Sequence, residues 1–320
     1  MRGEVAFVCI SEKKGTPKHA VPQGELVAGF GIAGDAHAGD WHRQVSLLDE
    51  RDIEFMRAKG LALKPGAFGE NLVVRGLPLE ELGIGTVLAC GQARLEITQI
   101  GKECHTRCAI YYKTGDCIMP RAGLFARVLA GGTVKPGDAL EVQRLVPRSC
   151  PVAAVVTVSD SAAAGTAGDT AGPAVAGLLE QQLAAHVAER LVVPDAVATI
   201  QRTLRDLASR GLDLVITVGG TGLGPRDVTP EATRGVIQRE VPGLAEAMRA
   251  ASAARTPRAW LQRGVAGTVG RTLVVNLPGS RKAAVENLEV ILPLLPHALA
   301  LLRGETAHPE TDRERQGVLA

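Results

Sequence analysis

Residues 213–233 read DLVITVGGTGLGPRDVTPEAT, and the fold of the second half of the chain turns on them. The apolar run 214–218 breaks into Gly219, Gly220, Thr221, Gly222 and Gly224, passes an acid at Asp227, and reaches Thr229-Pro230-Glu231, which reads as a helix start. A strand that feeds a glycine-rich loop into a helix suits a phosphate, because glycines let backbone N–H groups approach an anion that the helix end also favours. Asp227 is out of place in such a cradle unless a divalent cation stands between carboxylate and phosphate. The Lys-Ser/Thr end of a Walker A loop is missing, which argues against an ordinary P-loop nucleotidase.

Working outward, residues 152–158 form a continuous apolar run of the kind buried on both faces of a parallel sheet, and 171–183 repeat Val175, Leu178, Leu179 and Leu183 at helical spacing. Residues 186–193 and 272–277 are further strand candidates, and a helix from 196 carries Val197, Ile200, Leu204 and Leu207 on one face. This alternation predicts an α/β domain of three layers with a mostly parallel sheet. Four strand ends then fall on one edge: Ser159-Asp160-Ser161, Pro194-Asp195, the glycine loop, and Pro278-Gly279-Ser280-Arg281-Lys282. Each has a plain structural reading as well. Asp195 fits an N-cap, Thr229 and Pro230 fit N-cap and N1, Ser280 fits a cap, and Asp160 fits a turn.

The first 145 residues have a different texture. Short apolar segments at 4–10, 25–30, 44–48, 71–74, 87–90, 93–100 and 139–144, separated by glycine turns, predict a β-barrel-like or sandwich domain. Helices are expected at 50–59 and 123–129, and VPRSC at 146–150 reads as a linker. The expected division is 1–147, 148–306 and a flexible polar tail at 307–320.

A formal net charge of +2 and only nine Trp, Tyr and Phe residues out of 320 argue against a nucleic-acid surface. The N-terminus lacks the shape of a secretory signal, and no window is read as a membrane span, so a cytoplasmic location without membrane association is expected. The six cysteines all lie at or before position 150, which points to thiol or metal chemistry in the first domain only.

The set VSDS (158–161), VPDAV (193–197), VGGTGLGPRDVTPEAT (218–233) and NLPGSRKAAVENL (276–288), in this order, resembles the MogA/MoaB family of molybdopterin adenylyltransferases, also seen as the G domain of gephyrin-like proteins, over about residues 151–305. The resemblance implies that ATP adenylylates the terminal phosphate of molybdopterin with release of pyrophosphate, that a molybdenum-insertion protein takes the product, and that the assembly is a trimer. By position, Asp195 and Asp227 match the family's two acidic catalytic residues and would hold Mg²⁺. Ser159, Asp160, Gly219, Gly220, Thr221, Gly222, Pro278 and Gly279 would line the substrate site, with Ser280 and Lys282 on the pterin phosphate. No covalent nucleophile is required, and pyridoxal phosphate is not expected. The non-catalytic alternative is a carrier that binds molybdopterin or molybdenum cofactor without transferring AMP.

In the first domain, GIAGDAHAGDWHRQVSLL (31–48), GAFGENL (66–72) and QIGKECHTRCAIYYKTGDCIMPRAGLFARVLAGG (99–132) together resemble a MOSC domain over about residues 3–145. Members carry one characteristic cysteine associated with sulfur or the molybdenum cofactor. Similarity to stand-alone members favours Cys104, and similarity to relatives with an Arg-Cys pair favours Cys108. His37 and Arg43, with Lys102 and Arg107, are candidate cofactor contacts, or else ordinary turn and surface residues. Cys104, His105, Cys108 and Cys117 also suggest zinc, although the C-x3-C spacing lacks the paired knuckles of common zinc sites. The domain is thus either a cofactor-binding module or a sulfur carrier.

Overall fold

A computed structural model describes residues 1–102, 111–112 and 115–305; Cys104, His105, Arg107 and Cys108 lie outside the described residues. The chain divides into two compact units, Met1–Cys150 and Pro151–Ala320.

In the first unit the strands run in the order Ala139–Arg144, Val87–Cys90, Ala93–Ile100, Leu124–Ala130, Val45–Asp49, Leu72–Arg75 and Arg2–Ile10, and Arg2–Ile10 pairs back onto Ala139–Arg144. Closure of this seven-strand barrel removes both sheet edges and encloses a core that includes Val5, Val45, Leu47, Leu72, Leu95, Ile97 and Leu124. His19–Val21 lies against Arg2–Ile10 on the open side, and Gly132–Val134, Gly24–Val27 and Gly31–Ile32 form a small second sheet. The helix Glu50–Ala58 follows expectation, with Asp49 accepting the Arg51 N–H at 2.9 Å.

The stretch expected as a helix at 123–129 is instead the strand Leu124–Ala130, paired with Val45–Asp49 on one side and Ala93–Ile100 on the other. Leu and Ala favour helix locally, but burial of Leu124, Phe125, Ala126 and Val128 between two partner strands outweighs that preference. The strand expected at 25–30 stops at Val27. VPRSC is tied to the barrel rather than free: Val146 exchanges two hydrogen bonds with the Thr86 hydroxyl, at 3.0 and 3.1 Å, and Arg148 N–H donates to Glu81.

The second unit is built on a six-stranded mixed sheet in the order His186–Val193, Val152–Val158, Leu214–Val218, Thr272–Leu277, Ala266–Val269 and Arg239–Glu240. The first four are mutually parallel; the last two are antiparallel additions that sequence reading missed. Val155, Ile216 and Val275 face the helices Ala171–Gln182, Pro242–Ala253, Arg281–Ile291 and Leu295–Arg303. The alternate residues face Val197–Ser209 and Thr229–Arg234. A buried amide ties one face together: Asn276 donates to the hydroxyls of Thr217 (2.8 Å) and Thr233 (2.9 Å) and accepts from Val265 N–H (3.1 Å). These bonds set the short helix Thr229–Arg234 directly behind the glycine loop.

Contrary to the sequence reading, the stretch Arg281–Arg303 has the length and mean hydropathy, 1.5, of a membrane span. Here it is broken at Leu292–Leu294 and gives Leu288, Ile291, Leu295 and Leu299 to the core.

Candidate active site at the carboxyl edge of the C-terminal sheet

The parallel order brings all four polar strand ends together. Ser159 N–H bonds to Val193 O at 2.9 Å, and Gly219 N–H to Leu277 O at 3.1 Å, so adjacent ends are stitched to each other. Asp160 and Asp195 are reciprocally bound: Asp160 N–H donates to Asp195 Oδ2 at 2.8 Å, and Asp195 N–H to Asp160 Oδ1 at 2.9 Å. The Arg226 guanidinium then grips Asp160 Oδ2 at 2.7 and 2.9 Å. That contact holds the Asp160 carboxyl below its usual range, whereas burial, reinforced by the charges of Asp160 and Asp227, pushes the Asp195 carboxyl up.

The glycines make room for the two acids. A Cβ on Gly220 would press on the Thr229 hydroxyl and lie 3.0 Å from Asp195 Oδ1, at a residue whose φ of +61° already favours glycine. A Cβ on Gly222 or Gly224 would lie 2.9 or 2.8 Å from Asp227 Oδ2, which accepts the Gly224 N–H at 2.7 Å. Gly220, Thr221, Gly222 and Asp227 line an open cleft of about 400 Å³ whose far wall is Pro278-Gly279.

The structural alternatives divide. Asp195 is not a cap: the helix Val197–Ser209 has Ala196 at its N-cap and no side-chain cap bond. Val228, not Thr229, is the N-cap of Thr229–Arg234, so Thr229 is the first helical residue and Pro230 the second. The Thr229 hydroxyl is buried beside Gly220 without a partner among the described residues. Ser280 does cap Arg281–Ile291, accepting from Ala283 N–H at 3.3 Å, and Ser159 caps Asp160–Ala163, accepting from Ala162 N–H at 3.2 Å. Lys282 lies elsewhere, in a shallow recess between Ala171–Gln182 and Arg281–Ile291.

Arg263, which sequence reading missed, anchors the loop. Its guanidinium donates to Gly222 O (2.6 Å), Asp227 O (2.5 Å) and the Glu231 carboxylate, while its own N–H meets Thr221 O at 2.9 Å. An arginine 36 residues beyond the acid it positions leaves no local sequence signal.

The acid pair suits Mg²⁺. Among the described residues no three His, Cys, Asp or Glu side chains form a metal cage. Mg²⁺ is commonly held by one or two carboxylates together with substrate phosphates, which Asp195, Asp227 and the cleft would supply.

In the first unit, His37, Trp41, Arg43, Phe68, Lys102 and Cys117 are among the residues lining a cavity of about 230 Å³. The Arg43 guanidinium lies 4.8 Å from the Trp41 ring centre. Behind the wall, buried Asp35 pairs with buried Lys18, accepts His37 N–H at 2.8 Å and takes Asn71 Nδ2–H at 3.2 Å. Glu70 of GAFGENL accepts from Gly66 and Phe68 N–H, at 2.7 and 3.0 Å, and so shapes the loop on the cavity's rim. Burial raises the thiols of Cys9 to about 12 and Cys90 to about 11, which leaves both inert at neutral pH.

Comparison with known proteins places each unit in a family by sequence. Residues 154–297 match the family described as "Probable molybdopterin binding domain", and residues 34–141 match the MOSC domain. A molybdopterin adenylyltransferase of Haemophilus influenzae is 40% identical over 165 residues, 47% of this chain and 83% of that protein. The C-terminal half of this chain belongs to the molybdopterin adenylyltransferase family. A molybdenum cofactor biosynthesis bifunctional protein of Synechococcus elongatus is 42% identical over 152 residues, 48% of this chain and 47% of that protein. The MoaB crystal structure from Thermus thermophilus is 52% identical, covering 48% of this chain and 96% of that one, with a TM-score of 0.46. The chain spans only 24% of the Dictyostelium gephyrin and about half of the bifunctional relatives. The same chain carries a match to the MOSC domain on the N-terminal side of the adenylyltransferase-family half.

Proposed function

We propose that the C-terminal unit transfers AMP from ATP to the terminal phosphate of molybdopterin. A molybdopterin phosphate oxygen attacks the α-phosphorus of ATP, the bond from that phosphorus to the bridging oxygen breaks, and pyrophosphate leaves with the bond's electron pair. Two anions must approach in line, and the chain's contribution is neutralisation and alignment. The 219–222 backbone and the cleft wall at Pro278-Gly279 supply the seat, and Asp195 and Asp227 flank it. Mg²⁺ bound by these acids would screen the phosphates and stabilise the pyrophosphate leaving group. The observation that carries the reading is the pair of acids set against a glycine loop in which a Cβ at Gly220, Gly222 or Gly224 would crowd their carboxylates.

The test is product mass after purified protein is incubated with molybdopterin, ATP and Mg²⁺. Adenylylated molybdopterin and pyrophosphate are expected from the wild type, and Asp227→Ala should keep its fold but release no pyrophosphate. Near-normal turnover in that variant would overturn the metal role. ATP binding without any pyrophosphate from the wild type would favour the carrier reading.

For the MOSC unit, the cavity bearing Arg43, Lys102 and aromatic walls favours a cofactor-binding module over a sulfur carrier. Pterin fluorescence co-purifying with the protein supports this, and cyanide-labile sulfur on a cysteine would reverse it. A cytoplasmic homotrimer that hands its product to a molybdenum-insertion protein completes the proposal, checked by sedimentation and by pull-down with the purified insertion protein.

A further inference from the structure

A donor and an acceptor beside the glycine loop are left unpaired among the described residues, and both lie next to the same point in space. The donor is the Thr229 hydroxyl, shut off from water and without a hydrogen-bond partner in a residue that is itself fully buried. The acceptor is Asp195 Oδ1: Oδ2 takes the Asp160 N–H at 2.8 Å, whereas Oδ1 takes no hydrogen bond among the described residues. A Cβ on Gly220 would press on the Thr229 hydroxyl and lie 3.0 Å from Asp195 Oδ1. The missing side chain of Gly220 therefore leaves a gap bordered by an unused donor and an unused acceptor.

A buried hydroxyl without a partner costs stability, and valine would fill the same space without that cost. The usual remedy is closed to Thr229. A helical threonine commonly donates to a carbonyl one turn back, but Thr229 is the first residue of Thr229–Arg234 and has no helical turn before it. Its backbone is pinned as well, because Thr229 N–H donates to Gly220 O at 3.1 Å, and a β-branched side chain has little freedom at χ1. The Asp195 carboxylate is the adjustable member of the pair, since its terminal torsion is soft and each of its oxygens can accept more than one bond.

We propose that Thr229 is the positioning residue of Asp195: in the substrate-bound protein its hydroxyl donates to Oδ1 across the gap over Gly220 and fixes the carboxylate that would hold a divalent cation. This rests on the adenylyltransferase reading above. The Thr229 hydroxyl then orients Oδ1 as the Asp160 N–H orients Oδ2, and glycine at 220 is what leaves the approach open.

The test is Mn²⁺ binding to the full-length protein in the presence of α,β-methylene-ATP, followed by electron paramagnetic resonance, together with thermal unfolding of the protein without ligand. Thr229→Val should bind Mn²⁺ about tenfold more weakly than the wild type, the loss expected for one charge-assisted hydrogen bond, yet unfold at an equal or higher temperature because a buried unpaired hydroxyl is gone. Thr229→Ser, which keeps the hydroxyl, should bind Mn²⁺ within about twofold of the wild type. Thr229→Ala set against Thr229→Ser gives the same comparison should the valine variant fail to fold. Unchanged Mn²⁺ affinity without the hydroxyl, or an equal loss in Thr229→Ser, would overturn the proposal. So would a melting temperature in Thr229→Val that falls in step with affinity, which marks a packing role. Absence of adenylylated product from wild-type protein that does bind Mn²⁺ would overturn the underlying reading instead.

Discussion

At the scale of single residues, Asp195 and Asp227 share a chemical type but not an environment. Burial and two neighbouring acids raise the Asp195 carboxyl, so it ionises above the usual carboxylate range. On the proposed reading, protonated Asp195 would not hold Mg²⁺, so adenylylation should rise with pH along a limb set by Asp195. Asp160→Asn removes one of the opposing charges and should move this limb to lower pH in a pH–rate profile. The stability sign is the reverse of the usual aspartate case. A carboxyl whose folded pKa is raised costs the fold as pH climbs through it, because the unfolded state ionises more readily. Asp195→Asn should therefore melt at an equal or slightly higher temperature at neutral pH, match the wild type in acid, and lose adenylylation. A marked drop in melting temperature with activity intact would restore a structural role for Asp195.

At the scale of elements, the loop between Leu214–Val218 and Thr229–Arg234 is shaped by what surrounds it. Gly220→Ala combines a left-handed backbone with a Cβ against Asp195 and Thr229. It should cost about 1–3 kcal/mol by chemical denaturation and most of the activity. Arg263→Ala frees the carbonyls of Gly222 and Asp227 from their shared donor. The expected loss is about 2–3 kcal/mol, with a raised KM for ATP. Arg263→Lys should recover part of the stability but little of the activity, since an ammonium cannot reproduce the planar fork. Equal activity in both variants would show that the anchor does not position Asp227.

The glycine loop, its acids and the four strands that deliver them were legible because a parallel sheet buried on both faces writes continuous apolar runs into the sequence. Arg263 and the pairing of Asp160 with Asp195 were not, because such contacts join residues with no local pattern in common. Leu124–Ala130 was misread as helix for a related reason. Its Leu and Ala lean toward helix, and only partner strands on both sides choose the extended state.

At the scale of the whole molecule, each unit has its own buried core, so each should fold alone. The fragment 151–305 is expected to unfold cooperatively and to keep adenylylation with unchanged KM for ATP, measured on the isolated fragment. Loss of activity in a folded fragment would show that the barrel contributes to the reaction. The sequence alone determined two domains, the class of each, and the sheet edge on which Asp195 and Asp227 fall, because periodicity and glycine placement are local records of burial and close approach. Tertiary structure alone decided which side chains hold those acids, which serine hydroxyls cap helices and where Lys282 lies. Those outcomes depend on distances between segments far apart in the chain, which no local pattern encodes.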